Sequence, residues 1–162
     1  LKLISKWLKV AFDQPENINA RGGMLIGSCF AGVAFTKGLG LVHSISHMIG
    51  AEYNTQHGLT NAIILPAVMK FNLPYVGEKV GSICHAMDLK DASSDLITEE
   101  IEKILDYVDI PKSLSEIDVP LECKKRIAKK AMLDSATGTN PRVAQIEDIE
   151  ELTEISILSA RK

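Results

Sequence analysis

Strand signals are nearly absent from this chain of 162 residues, which argues against any sheet-based fold. Also lacking is an excess of either charge. The 18 Lys and Arg stand against 21 Asp and Glu, a formal net charge of -3. Nothing in that balance asks for a nucleic acid or an anionic membrane surface as partner. No uninterrupted apolar stretch reaches the roughly 18 residues a membrane span needs. No signal peptide opens the chain, so a cytoplasmic location without a membrane partner is expected. Cysteine is sparse. Cys29, Cys84 and Cys123 are odd in number, scattered and without metal-finger spacing. Free thiols in a reducing compartment are therefore expected. Repeats and low-complexity tracts are missing as well.

What is present is a helical pattern nearly from end to end. Hydrophobic residues make up 46% of the chain, enough for one domain with a real core. Leu3, Ile4, Trp7, Leu8 and Phe12 recur every three to four residues before Pro15. Residues 16–37 read as a long apolar helix despite Gly22, Gly23, Gly27 and Gly32, each costing on the order of 1 kcal/mol relative to Ala. Gly23, Gly27, Ala31 and Ala34 align at spacings that predict a second helix lying close by. Gly38-Leu39-Gly40 breaks the pattern. Further helices are expected over residues 42–53, 59–71 (with Pro66 as a kink), 75–87, 96–108, 121–134 and 146–159. A loop over residues 54–58 carries His57, and Thr137-Gly138-Thr139-Asn140-Pro141 is a turn. The expected fold is an all-α bundle of seven or eight helices, one domain over residues 1–162. Two charge runs, Lys124, Lys125, Arg126, Lys129 and Lys130, then Glu147, Asp148, Glu150, Glu151 and Glu154, read as solvated helix faces. The chain begins mid-pattern at Leu1, without an initiator Met, and is expected to be a piece of something longer.

Three of the four histidines fall close together: His43, His47 and His57. His43 and His47 are four apart and share a helix face. Val42, Ile45 and Ile49 form the core stripe of that helix, and the histidines point away from it. Gly40 and Gly50 lie on the histidine side and leave room for a ligand or another backbone. Neutral imidazole is the commonest protein ligand for divalent first-row metals. Two histidines one turn apart can hold an ion, and His57, ahead of Gly58, can complete the set. The same spacing also suits polar histidines lining a crevice. His85, beside Cys84, Ala86 and Met87, is read as structural or surface.

The run Gly38-Leu39-Gly40-Leu41-Val42-His43-Ser44-Ile45-Ser46-His47-Met48-Ile49-Gly50-Ala51, then His57-Gly58-Leu59-Thr60-Asn61-Ala62-Ile63-Ile64-Leu65-Pro66, resembles the signature of the iron-containing (group III) alcohol dehydrogenases. Ala20-Arg21, Ala31-Gly32-Val33-Ala34-Phe35, Val68-Met69-Lys70-Phe71-Asn72 and Asp134-Ser135-Ala136-Thr137-Gly138-Thr139-Asn140-Pro141-Arg142 resemble the same family.

The resemblance implies a two-domain enzyme. An N-terminal α/β domain binds NAD(P), and a C-terminal helical domain binds one divalent metal, Fe²⁺ or Zn²⁺, through one Asp and three His. His43 matches the second His ligand and His57 the third. His47 matches a histidine beside the metal that is not a ligand, which displaces the pairing of His43 with His47 that spacing suggests. The other two ligands belong to an Asp-x-x-x-His motif that should precede Gly38. Asp13 is the one Asp upstream, and no His precedes His43. The nucleotide-binding glycines are missing too. The implied chemistry is reversible hydride transfer between an alcohol and an aldehyde or ketone, with the metal as Lewis acid and His47 positioning groups or relaying a proton. By itself this stretch is expected to be inactive, and to hold metal weakly or not at all, zinc better than iron. The turn over residues 137–142 either lines the cleft or is a plain inter-helix loop. Small alcohols or aldehydes are the implied partners, with a homo-oligomer possible. Two other readings remain: a non-catalytic helical scaffold or assembly domain, and a fold-mate such as a glycerol dehydrogenase or dehydroquinate synthase. The match between His43 and His57 argues against the fold-mate.

Overall fold

The computed structural model describes residues 1–159 and 161. Among them lie eight α-helices, several short 3₁₀ turns and no strand: α1 (Lys2–Asp13), α2 (Ile18–Ala34), α3 (Leu41–Tyr53), α4 (His57–Asn72), α5 (Lys79–Ala86), α6 (Ser94–Tyr107), α7 (Lys124–Ala131) and α8 (Ile146–Leu158). The all-α expectation holds. Helices α3, α4, α7 and α8 enclose the main core, in which Leu41, Ile45, Ile49, Ile63, Ile64, Ile127, Ile149 and Ile157 are essentially sealed from water. At 1.5–3 kcal/mol for each fully buried large aliphatic side chain, this cluster dominates the fold's stability. A smaller core of Leu73, Cys84, Met87 and Ile97 joins the end of α4 to α5 and α6.

The ends of the helices explain where the boundaries differ from the sequence pattern. Helix α4 starts at His57, so the expected loop histidine is helical. Gln56 causes this: its side-chain oxygen accepts the Leu59 N–H at 2.5 Å and caps the helix. The predicted helix over residues 75–87 shortens to α5 because a 3₁₀ turn at Leu73–Tyr75 and a positive φ at Gly77 interrupt it. Helix α4 continues through Pro66. All three cysteines are free thiols: Cys84 and Cys123 are buried and Cys29 is exposed.

The charge runs pair with other helices instead of merely facing water. Arg126 and Lys130 both reach Glu52 on α3, at 2.8 and 2.7 Å, and Lys124 reaches Glu154 on α8 at 2.6 Å. These links are part-exposed, each worth about 0–1 kcal/mol.

Helices α1 and α2 form a hairpin whose close approach the small-residue stripe anticipated. A Cβ at Gly23 would lie 2.2 Å from the Trp7 ring, and one at Gly27 2.7 Å from Ile4. Lys9 pairs with Glu100, and the Tyr107 hydroxyl donates to Asp13 at 2.6 Å, tying the hairpin to α6. The expectation that no segment matches a membrane span needs correction. Ile18–Lys37 is a continuous helical segment of 20 residues with a mean hydropathy of 1.2, long and apolar enough to cross a membrane. Counting consecutive apolar residues missed it, because its glycines and Ser28 interrupt the run without making it polar. Little of this segment is buried.

Candidate metal centre

The start of α3 is built by two glycines. Gly38 and Gly40 have φ of +113° and +73°, a region side chains rarely adopt. The turn over residues 137–142 packs directly on them. Thr139 Oγ1 accepts the Leu39 and Gly40 N–H groups at 3.1 and 3.3 Å, and Asn140 Oδ1 accepts the Leu41 N–H at 3.2 Å. Asn140 also exchanges hydrogen bonds with Asn72 at the end of α4. This turn therefore bolts together the start of α3 and the end of α4. These bonds give the turn a structural part between the two helices.

From that anchored start, α3 sends Leu41, Ile45 and Ile49 into the core, while Val42 is only partly buried. His43 and His47 emerge on another side, and His57 faces them from the first turn of α4. Ring centres are 5.3 Å apart for His43 and His57, 5.4 Å for His47 and His57, and 5.8 Å for His43 and His47. All three histidines singled out in the sequence are thus brought together. His85 is not: it is exposed in the last turn of α5. The Phe35 ring meets His43 edge-on with centres 5.4 Å apart. An apolar groove of about 440 Å³, bordered by Ile4, Phe30, Phe35 and Leu39, runs up to His43.

Asn61, one turn beyond His57 on α4, decides how the imidazoles are turned. Its Nδ2 lies 3.1 Å from His57 Nε2 and 3.4 Å from His43 Nε2. An amide nitrogen only donates, so both Nε2 atoms offer lone pairs toward one point. Burial, then the neighbouring His57 and His47 rings, push the His43 pKa below the ordinary imidazole value. Its neutral, ligand-competent form is thereby favoured. The Leu39 carbonyl opposes this without making a hydrogen bond, and His43 Nδ1 and Asn61 Oδ1 are buried without partners.

His47 is held separately. Its Nδ1 lies 3.0 Å from Asp134 Oδ2, and Asp134 Oδ1 accepts the Ala136 N–H at 2.8 Å. Burial would raise the Asp134 pKa, but the bonds from His47 and Ala136 prevail and hold it below the usual carboxylate value. Neither Asn61 nor Asp134 was given a role from the sequence. The helical spacing of Asn61 from His57 was a usable signal. Asp134 lies 87 residues from His47, and nothing local joins them.

Two paired imidazoles whose Nε2 atoms face one amide nitrogen fit a divalent metal as part of a donor set. Among the described residues, no group of three or more His, Cys, Asp or Glu is arranged to hold an ion.

The chain superposes on a crystal structure of 1,3-propanediol oxidoreductase with a TM-score of 0.90 at 29% identity, covering 96% of this chain and 43% of that one. An alcohol dehydrogenase from Oenococcus oeni matches with the same score and identity, over 96% and 42%. The chain belongs to the Fe-containing alcohol dehydrogenase family, matching its C-terminal part over residues 1–157. It is 40% identical over 136 residues to lactaldehyde reductase of Escherichia coli strain K12, across 80% of this chain and 36% of that protein. It is 36% identical over 160 residues to the NAD-dependent methanol dehydrogenase of Bacillus methanolicus, across 94% and 42%. The chain thus spans about two-fifths of the length of these relatives.

Proposed function

We propose that residues 1–162 are the metal-holding helical domain of an NAD(P)-linked alcohol dehydrogenase that interconverts a small alcohol with its aldehyde or ketone. His43 and His57 hold the metal, and His47 stands beside it without ligating. The observation that carries this reading is the single amide of Asn61 facing both Nε2 atoms. A divalent ion, Fe²⁺ or Zn²⁺, supplies Lewis-acid polarisation of the substrate oxygen when bound, and NAD(P) supplies the hydride acceptor. The chain's own residues do the rest. Phe35 packs edge-on against His43 beside the apolar groove that leads to it, and His47 is placed to hold or pass a proton. The relatives' names point to short alcohols and aldehydes as the substrate class.

Two histidines without a carboxylate make a weak site. Calorimetric titration of the 162-residue chain should give weak zinc binding, and iron should not survive purification. His43→Ala or His57→Ala should weaken zinc binding by roughly tenfold or more, and His47→Ala by no more than about threefold. Stoichiometric iron in the purified chain, or a loss as large in the His47 variant, would overturn the assignment. With no nucleotide-binding glycine motif in the sequence, the chain alone should not turn over a simple alcohol with NAD or NADP. Measurable turnover would contradict this.

A further inference from the structure

We infer that Asp134 is the positioning residue of His47, fixing its Nδ1–H tautomer and so leaving the Nε2 lone pair free. This rests on the reading above in placing His47 at the reacting centre. The carboxylate is fixed at both oxygens: Oδ2 meets His47 Nδ1 at 3.0 Å and Oδ1 accepts the Ala136 N–H at 2.8 Å. Its side chain is 14% exposed, so water competes little for those bonds. The turn that carries it is locked in place. Thr137 Oγ1 donates to the Ala131 carbonyl at 2.6 Å, and Thr139 Oγ1 donates to that of Ala136 at 2.8 Å. Thr139 and Asn140 then grip the backbone at the start of α3, the helix that bears His47. The carboxylate and the imidazole are thus referenced to the same turn.

A carboxylate accepts only, so a neutral His47 must place its one proton on Nδ1. Nε2 is left as the free base. The ring also lies at 19° to His57, its centre 5.4 Å away, and its tilt is thereby constrained on a second side. A carboxylate behind an imidazole is a recurring device for fixing tautomer and orientation. Here it gives Nε2 the state needed to take a hydroxyl proton and later return it. His43 and His57 need the same Nδ1–H tautomer but obtain it from Asn61, on the opposite side of the ring. Two independent devices therefore orient the three histidines.

The test reads the tautomer directly. Long-range nitrogen–proton correlation spectra of the metal-free 162-residue chain should show the Nδ1–H form as the neutral tautomer of His47. In Asp134→Asn and Asp134→Ala, the Nδ1–H fraction of His47 should fall to about half or less. The His43 and His57 signals should hold, and zinc affinity should stay within about threefold. A wild-type His47 whose neutral form carries its proton on Nε2 overturns the inference without any variant. So does an unchanged tautomer in a folded variant. Should zinc binding prove indifferent to His43 and His57 while the His47 tautomer follows Asp134, the metal reading fails and the positioning role stands.

Discussion

Three imidazole rings with centres 5.3 to 5.8 Å apart repel one another when charged. His43 bears the clearest consequence, because burial adds to the repulsion and its pKa is lowered. A histidine whose folded pKa lies below its unfolded value stabilises the fold above about pH 6.5, and that contribution is lost as pH falls through the folded value. Asp134 and Glu52 are also depressed. Burial opposes the shift at Asp134, whereas the bonds from Arg126 and Lys130 drive it at Glu52. Their contributions are present above the ordinary carboxylate pKa and vanish below it. All three groups act with the same sign, so acid destabilises in two stages. Thermal melts should give a flat Tm from about pH 8 to about 6.5, a first decline below that and a second below about pH 4. His43→Gln should remove the first stage alone. A Tm that rises between about pH 6.5 and 5 would contradict the sign.

Glycines with the same name play opposite roles in neighbouring elements. Gly22 sits inside α2 with nothing within 4 Å of a would-be Cβ. Gly22→Ala should therefore stabilise by about 0.5–1 kcal/mol through backbone entropy alone. Gly23, one residue on, has the Trp7 ring 2.2 Å from that position. Gly23→Ala must push α1 off α2 and should destabilise by about 1–3 kcal/mol. Gly38 combines both problems: its φ is +113°, and Thr139 stands 2.4 Å from a would-be Cβ. Gly38→Ala should cost about 2–4 kcal/mol and loosen the turn that carries Asp134. Urea unfolding of the three variants measures the ranking. Equal effects at Gly22 and Gly23 would refute the packing argument.

Seen as a whole molecule, the chain has a main sealed core, a smaller one beside it and a conspicuously open helix. Leu25, Phe30 and Val33 of α2 are 72%, 64% and 65% exposed, and Ile18 and Ile26 extend the same stripe. Apolar side chains exposed along one helix favour association when they form a contiguous patch. The 162-residue chain should therefore self-associate as its concentration rises and should bind a hydrophobic dye. A Leu25→Glu/Phe30→Glu variant should lose both properties while keeping its Tm within a few degrees, since neither side chain contributes to the core. Sedimentation velocity measures this. A wild-type chain that stays monomeric without dye binding would show that the stripe is innocuous in water.

The sequence by itself determined the all-α class, the number of helices and the close α1–α2 approach. Each follows from periodicity and small-residue spacing, which act within one or two turns of chain. It also singled out the histidines that come together, because the motif from Gly38 to Pro66 places His43, His47 and His57 within a single helix–turn–helix unit. Helix ends were less legible. The cap that makes His57 helical is one side-chain hydrogen bond from Gln56, and apolar periodicity does not register it. The difference between His43 and His47 was legible only through resemblance, since their spacing makes them equivalent. The tertiary structure gives the two rings different neighbours. Asn61 reaches His43 from α4, and Asp134 reaches His47 across 87 residues. Such partners are chosen by how α3, α4 and the turn after α7 pack, and packing depends on the whole core, not on any local run of residues.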